Sequence, residues 1–230
     1  MGTDALDVQL PKGSSSARLK SQVVRELVRR AVPPSVLVTR GSTRGGKRLA
    51  LTFDDGPDEL TPRYLEACER LGVRATFFVL GRNAEKRPDL VRALVAAGHE
   101  VASHGFSHRT FPTLSVPALV DELVHTSDLL PPSATRRPLV RPPKGSVSVT
   151  TLLRIALAGF TTVLWSLDSD DCRTDDANVV AARCSASRVR PGEIVLLHEG
   201  QSWTLAALPR IVGDLTDAGY TFTTVGDLVA

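Results

Sequence analysis

The sequence predicts an α/β protein built on a parallel sheet, and three observations carry that reading. Short apolar or β-branched runs alternate with longer helical patterns from residue 48 to the C-terminus. Ionisable residues gather at the C-terminal ends of five of those runs, the edge where parallel α/β folds build their sites. The chain has 230 residues, 42% hydrophobic and 23% charged, which is enough for one well-cored domain. Such a sheet is either open and doubly wound or closed into a barrel, and periodicity does not choose between them.

In chain order, residues 1–16 form a Gly- and Ser-rich lead-in. The stretch "SARLKSQVVRELVRRAV" then places Leu19, Val23, Val24, Leu27, Val28 and Ala31 at helical period. Its other face carries Arg18, Lys20, Arg25, Arg29 and Arg30. This predicts a helix packed on the domain with a solvated basic face, or a weak contact with a membrane surface or anionic polymer. Pro33-Pro34 ends it. Residues 1–47 are thus lead-in and amphipathic helix, and 48–230 form the main domain. There "RLALTF", "RATFFVL", "HEVAS", "LVR", "TTVLWSL", "EIVLLH" and "TFTTV" read as strands. Helices are expected over 60–71, 84–96, 116–130, 148–158, 176–187 and 203–217.

Composition narrows the function. A formal net charge of +3, with no dense Lys/Arg tract, gives no support to a nucleic-acid partner. Cys68, Cys172 and Cys184 are odd in number and widely spaced, so they read as buried or free thiols. No apolar run reaches the roughly 18 residues of a membrane span. The first residues lack a basic region followed by an apolar core, so no secretory signal is expected and the chain as written reads as cytoplasmic. A trimmed mature form would read as extracytoplasmic. "GSTRGGKR" imitates a phosphate-binding loop through Gly41, Gly46 and Lys47. Arg48 stands where Ser or Thr is needed, and the loop precedes a strand instead of opening a helix, so it is rejected.

The strand ends hold the chemistry. "LALTFDDGP" ends in Asp54 and Asp55, "HEVASHGFSH" in His104 and His108, and "PLVRPPKG" delivers Arg141. "VLWSLDSDD" ends in Asp168, Asp170 and Asp171, and "EIVLLHE" in His198. Each has an ordinary structural reading: a turn or helix cap at Asp54-Asp55, a surface ion pair at Arg141, a solvated acidic loop, a core histidine. Together they supply a carboxylate and two imidazoles for a divalent metal, with a spare carboxylate, a guanidinium and a further histidine. That inventory suits metal-assisted hydrolysis.

In order, the stretches "TFDDGP", "SHGFSH", "RPPKG", "WSLDSDDC" and "IVLLHEG" resemble the five motifs of the NodB-homology polysaccharide deacetylases, carbohydrate esterase family 4. "RATFFVLG" and "AAGHEVASH" add similar wording, and the resemblance spans roughly residues 48–228. It implies a distorted (β/α)7-type barrel, here with an extra N-terminal helix, that removes acetyl groups from a polysaccharide or oligosaccharide. It also implies that Asp55, His104 and His108 hold a divalent metal, zinc first, with cobalt, iron or nickel as alternatives.

In that reading Asp54 is the general base, oriented by Arg141, and His198 is the acid toward the departing amine. Asp171 supports His198, and Asp168 is the second carboxylate. The Lys144 backbone amide faces the oxyanion, and Pro143 and Leu196 belong to the same substrate side. Cys172 stands where the family has Trp, and Lys144 where an aromatic or small residue is usual. Alternatives are a hydrolase of a C–N bond in a small amide or imide, and a non-catalytic carbohydrate-binding member.

Overall fold

The computed structural model describes residues 32–230, so the predicted N-terminal helix lies outside the described residues. Among them, nine strands form one curled, wholly parallel sheet. The strands are β1 (Leu37–Val38), β2 (Arg48–Asp54), β3 (Thr76–Val79), β4 (Glu100–Ser103) and β5 (Leu139–Val140), then β6 (Thr161–Val163), β7 (Leu167–Asp168), β8 (Ile194–His198) and β9 (Thr221–Phe222). Their order is β1-β6-β5-β4-β3-β2-β8-β7, and β9 pairs with the first two residues of β2.

The helices are α1 (Thr61–Leu71), α2 (Gly81–Lys86), α3 (Pro88–Ala96), α4 (Val116–Asp128) and α5 (Val149–Leu157), then α6 (Ala177–Arg183), α7 (Ser202–Asp217) and α8 (Val225–Val229). The βα alternation read from periodicity is therefore present, and the sheet curls into the distorted barrel the resemblance implies.

Several boundaries differ from the sequence reading. The run "TTVLWSL" is two strands. The amides of Thr162 and Leu164 donate to β1 and its lead-in, whereas those of Ser166 and Ser169 donate to β8. One chain segment thus joins the two ends of the strand order and draws the sheet round. The helix expected over 84–96 is split at Arg87, because Pro88 has no N–H to continue the ladder. "TFTTV" pairs only at Thr221–Phe222. Thr224 Oγ1 then accepts the Asp227 N–H at 3.1 Å and caps α8.

Side-chain alternation assigns the two sheet faces. Leu49, Leu51, Phe53, Phe77, Val79, Val195 and Leu197 join one core beneath the helices. Phe53 stacks on Phe77 at 5.0 Å between ring centres and meets Tyr64 edge-on at 5.2 Å. Ala50, Phe78, Ala102, Leu139, Ile194 and Leu196 point into a second core, the barrel interior. Two residues further along their strands come Asp54 beyond Thr52, then His104, Arg141 and His198. The same period of two that fills the interior with apolar side chains therefore lifts four polar ones onto its upper rim.

Candidate active site and metal centre

The rim begins at β2. Asp54 is buried, and its Oδ1 accepts from Arg141 Nη1 at 2.7 Å. The same Nη1 donates to Thr52 Oγ1 at 2.7 Å, and the Thr52 hydroxyl donates in turn to the Val195 carbonyl at 2.6 Å. Arg141 has no exposed surface and lies 4.0 Å over the Phe78 ring, a cation–π contact inside the barrel. Burial pulls its guanidinium below the ordinary value while Asp54 opposes that shift.

Beyond Asp54, Asp55 takes a left-handed backbone (φ 77°), and Asn83 Nδ2 holds its carbonyl at 2.9 Å. Its Oδ1 is buried without a hydrogen-bond partner. Two imidazoles converge on that oxygen: His108 Nε2 at 3.3 Å and His104 Nε2 at 3.5 Å. His104 Nδ1 lies 2.7 Å from the Arg141 carbonyl, which can only accept, so Nδ1 carries a proton, and in the neutral tautomer this selects Nε2 as the nitrogen with a lone pair to offer a metal. Burial, then His104, Lys144 and Arg82, favours neutral His108, with Asp55 opposing.

Ligands about 2.1 Å from one tetrahedral ion stand roughly 3.4 Å apart, which is the spacing seen here. The orphaned carboxylate oxygen and the free imidazole lone pair also fit a divalent cation, so Asp55, His104 and His108 form a candidate metal centre.

The turn between the two histidines is held from α4. Glu122 Oε2 accepts the Phe106 and Ser107 amides at 2.6 and 2.9 Å, and Oε1 takes the Ser107 hydroxyl. Gly105 sits at φ 77°, and a Cβ there would meet Phe111 at 3.0 Å and Glu122 Oε2 at 3.3 Å. The glycine is required by both conformation and space.

Opposite the metal triad stands His198, whose Cα is the register partner of Asp54 on the neighbouring strand. Its Nδ1–H donates to Asp171 Oδ1 at 2.7 Å, and its amide donates to Asp171 Oδ2 at 2.8 Å. Thr204 Oγ1 donates to Oδ2 and Trp203 Nε1 to the Asp171 carbonyl, each at 2.8 Å. Burial disfavours the imidazolium, but the Asp171 bond and the charges of Asp54, Asp171 and Asp55 outweigh it and raise His198 to about 9. Asp171, Cys172 and His198 also lie within ligating distance of one another. The Asp171 oxygens are already spent on His198 and Thr204, so this group is a histidine support and not a metal site.

Of the acidic cluster, only Asp171 touches His198. Asp170 pairs with Arg173 and Arg183. Asp168 accepts the Asp170 amide at 2.9 Å, and burial raises its carboxyl while nearby Arg173 and His198 draw it down. Lys144 sits exposed at φ 60° in the 3-10 turn Pro143–Gly145, near enough to His108 for its charge to act there. Pro143 is buried, and Leu196 lies one strand repeat below His198 in the interior core. Cys68 and Cys184 are buried thiols, and Cys172 is an exposed one.

Glu199 was not singled out by its sequence position. It is buried, its Oε1 accepts from Thr61 Oγ1 at 2.6 Å, and its amide donates to the Asp54 carbonyl at 2.9 Å. Burial, against the Thr61 bond and reinforced by Asp58, Asp55 and Asp54, raises its carboxyl to about 8. Its Oε2 presses on Gly56, where a Cβ would come within 1.5 Å. Glu199 therefore backs the loop that carries Asp54 and Asp55.

The polysaccharide deacetylase family model matches residues 41–163. The chain belongs to the polysaccharide deacetylase family. It is 32% identical over 208 residues to a peptidoglycan-N-acetylglucosamine deacetylase of Bacillus cereus, covering 88% of this chain and 98% of the relative. A peptidoglycan-N-acetylglucosamine deacetylase of Listeria monocytogenes is 31% identical over 229 residues, 97% of this chain. The chain spans 48% of that relative's length. The fold matches the crystal structure of the peptidoglycan N-acetylglucosamine deacetylase Bc1960, in complex with 4-naphthalen-1-yl-N-oxidanyl-benzamide, at TM-score 0.78. That match has 28% identity and covers 85% of this chain and 93% of that one. This polysaccharide deacetylase family member carries the candidate Asp-His-His metal centre and the His198–Asp171 pair on one rim. No helix among its described residues is long and apolar enough to cross a membrane.

Proposed function

We propose that this family member hydrolyses the N-acetyl groups of a GlcNAc-containing polysaccharide, releasing acetate and leaving the free amine. The observation that carries the reading is the pairing of Asp54 and His198 across β2 and β8, with the candidate metal centre beside Asp54. A proton acceptor and a proton donor then flank the place where an acetamide carbonyl would sit.

A divalent ion held by Asp55, His104 and His108, zinc first among the candidates, would polarise the acetyl carbonyl and make water at the site easier to deprotonate. Asp54 takes the proton of the attacking water. Arg141 occupies Asp54 Oδ1, which leaves Oδ2, 3.7 Å from His104 Nε2, to face the reaction. The Lys144 amide, on the Pro143–Gly145 turn, is the donor assigned to the oxyanion that forms as the carbonyl is attacked. His198 then gives the proton on Nε2 to the departing amine, while Asp171 holds Nδ1–H and stabilises the imidazolium. Leu196 closes the floor, Asp168 lines the side, and the exposed Lys144 cation suits a substrate bearing negative charge.

Acetate release tests the reading, measured on N-acetylated chito-oligosaccharides, peptidoglycan, acetylxylan and small amides, with and without chelator. Chelator-sensitive acetate from the GlcNAc polymers is expected. Turnover confined to small amides, or to acetylxylan, would overturn the proposed substrate class.

A further inference from the structure

Asp171 is the residue on which His198 depends, yet no strand or long helix holds it. It opens the three-residue 3-10 turn Asp171–Arg173 between β7 and α6, directly after the left-handed Asp170 (φ 55°). Asp170 spends its own carboxylate on Arg173 and Arg183. A turn this short satisfies few of its own backbone groups, so the placement of Asp171 has to come from outside it.

It comes from the first turn of α7. Trp203 and Thr204 are consecutive, and both donate to Asp171: the indole N–H to its backbone carbonyl and the threonine hydroxyl to Oδ2, each at 2.8 Å. The peptide and the side chain of Asp171 are therefore fixed from one place. Thr204 and Asp171 have no exposed surface, so water does not compete for the bond between them. Gln201 Oε1 lies 3.4 Å from the same hydroxyl, but the nearer, charged carboxylate takes its proton. The His198 amide also donates to Oδ2, so that oxygen carries two donors and Oδ1 is left to the imidazole Nδ1–H. The Tyr64 hydroxyl on α1 is shared between the Gln201 and His198 carbonyls, at 2.8 and 3.2 Å, and steadies the segment that joins β8 to α7.

We propose that Thr204, together with Trp203, is a positioning residue for the proton donor: it holds Asp171 in the one rotation that aims His198 Nε2 at the departing amine. The inference rests on the proposed activity. Thr204 is fully buried and acts only through Asp171.

Two substitutions at one position test it, because Thr204→Val keeps the volume and deletes the hydroxyl, whereas Thr204→Ser keeps the hydroxyl and deletes a methyl. In acetate release, Thr204→Val should lower kcat by about tenfold or more with KM nearly unchanged, the scale expected when a catalytic group is displaced. Thr204→Ser recovers most of that loss. Trp203→Phe keeps a ring, removes the other bond and lowers kcat in the same way, so the test stands on a second residue if Thr204→Val does not fold. Proton NMR of the metal-free protein at neutral pH gives a readout that needs no turnover. The His198 Nδ1–H resonance, assigned by its absence in His198→Gln, should be sharp in the parent and in Thr204→Ser and broadened by exchange in Thr204→Val. A parent-like kcat in Thr204→Val overturns the proposal, and so do equal losses in the two Thr204 variants, which would make it a packing residue. A parent that releases no acetate overturns the proposed activity instead, and the resonance then decides this inference alone.

Discussion

The carbonyl oxygen of Arg141 accepts the Nδ1–H of His104 at 2.7 Å, so the residue that pairs with the candidate base Asp54 also orients an imidazole of the candidate metal centre. Its guanidinium meanwhile reaches Asp54 from inside the barrel. One side chain and its own peptide group therefore tie the candidate general base to the candidate metal centre.

Replacing Arg141 by Met leaves the backbone carbonyl but abandons Asp54 as a buried, unpaired carboxylate. Breaking a buried pair in this way costs about 3–5 kcal/mol. Denaturant unfolding of Arg141→Met should show that loss, with metal binding weakened less than activity. An unchanged midpoint contradicts the pairing.

His198 is raised in the folded protein. Its contribution to stability is fully present below the unfolded value of about 6.5. That contribution is lost as pH rises through about 9. Asp171→Asn removes the first-ranked influence that opposes burial, while Asp54 and Asp55 still favour the imidazolium, so His198 should titrate clearly below its parent value of about 9. Proton NMR of the metal-free protein reads this directly. A His198 that still titrates near 9 in Asp171→Asn removes Asp171 from its role.

Gly56 has no room for a side chain because Glu199 Oε2 occupies the space. Gly56→Ala should destabilise the fold by about 1–3 kcal/mol, the usual cost of overpacking. Adding Glu199→Ala should recover part of the loss, since the two residues share one contact. Strictly additive losses in thermal unfolding would show that they do not.

The strand ends were legible because polar residues interrupt apolar runs at a period the interior demands. Asp54, His104, Arg141 and His198 each follow an interior apolar position or its neighbour by two. The five motif stretches then allowed Asp171 to be separated from Asp168 and Asp170, which spacing alone does not do. β1 and β7 were not legible, being two-residue pairings created by the curl of the sheet and not by local propensity. Glu122 and Glu199 escaped notice for a related reason. A glutamate on a helix or after a histidine reads as solvated, and only packing reveals that one latches the histidine turn and the other fills the space above Gly56. The clue available for Glu122 was its place among Leu119, Leu123 and Thr126 on the buried face of α4.

The central claim is that Asp54 moves the proton while its neighbour Asp55 holds the metal. Acetate release by Asp54→Asn, at metal content matched to the parent, tests it most directly. The account predicts about one divalent ion per chain in both proteins and a rate lower by about 10²–10⁴ in the variant, the usual contribution of a general base. Parent-like acetate release from metal-loaded Asp54→Asn would contradict it.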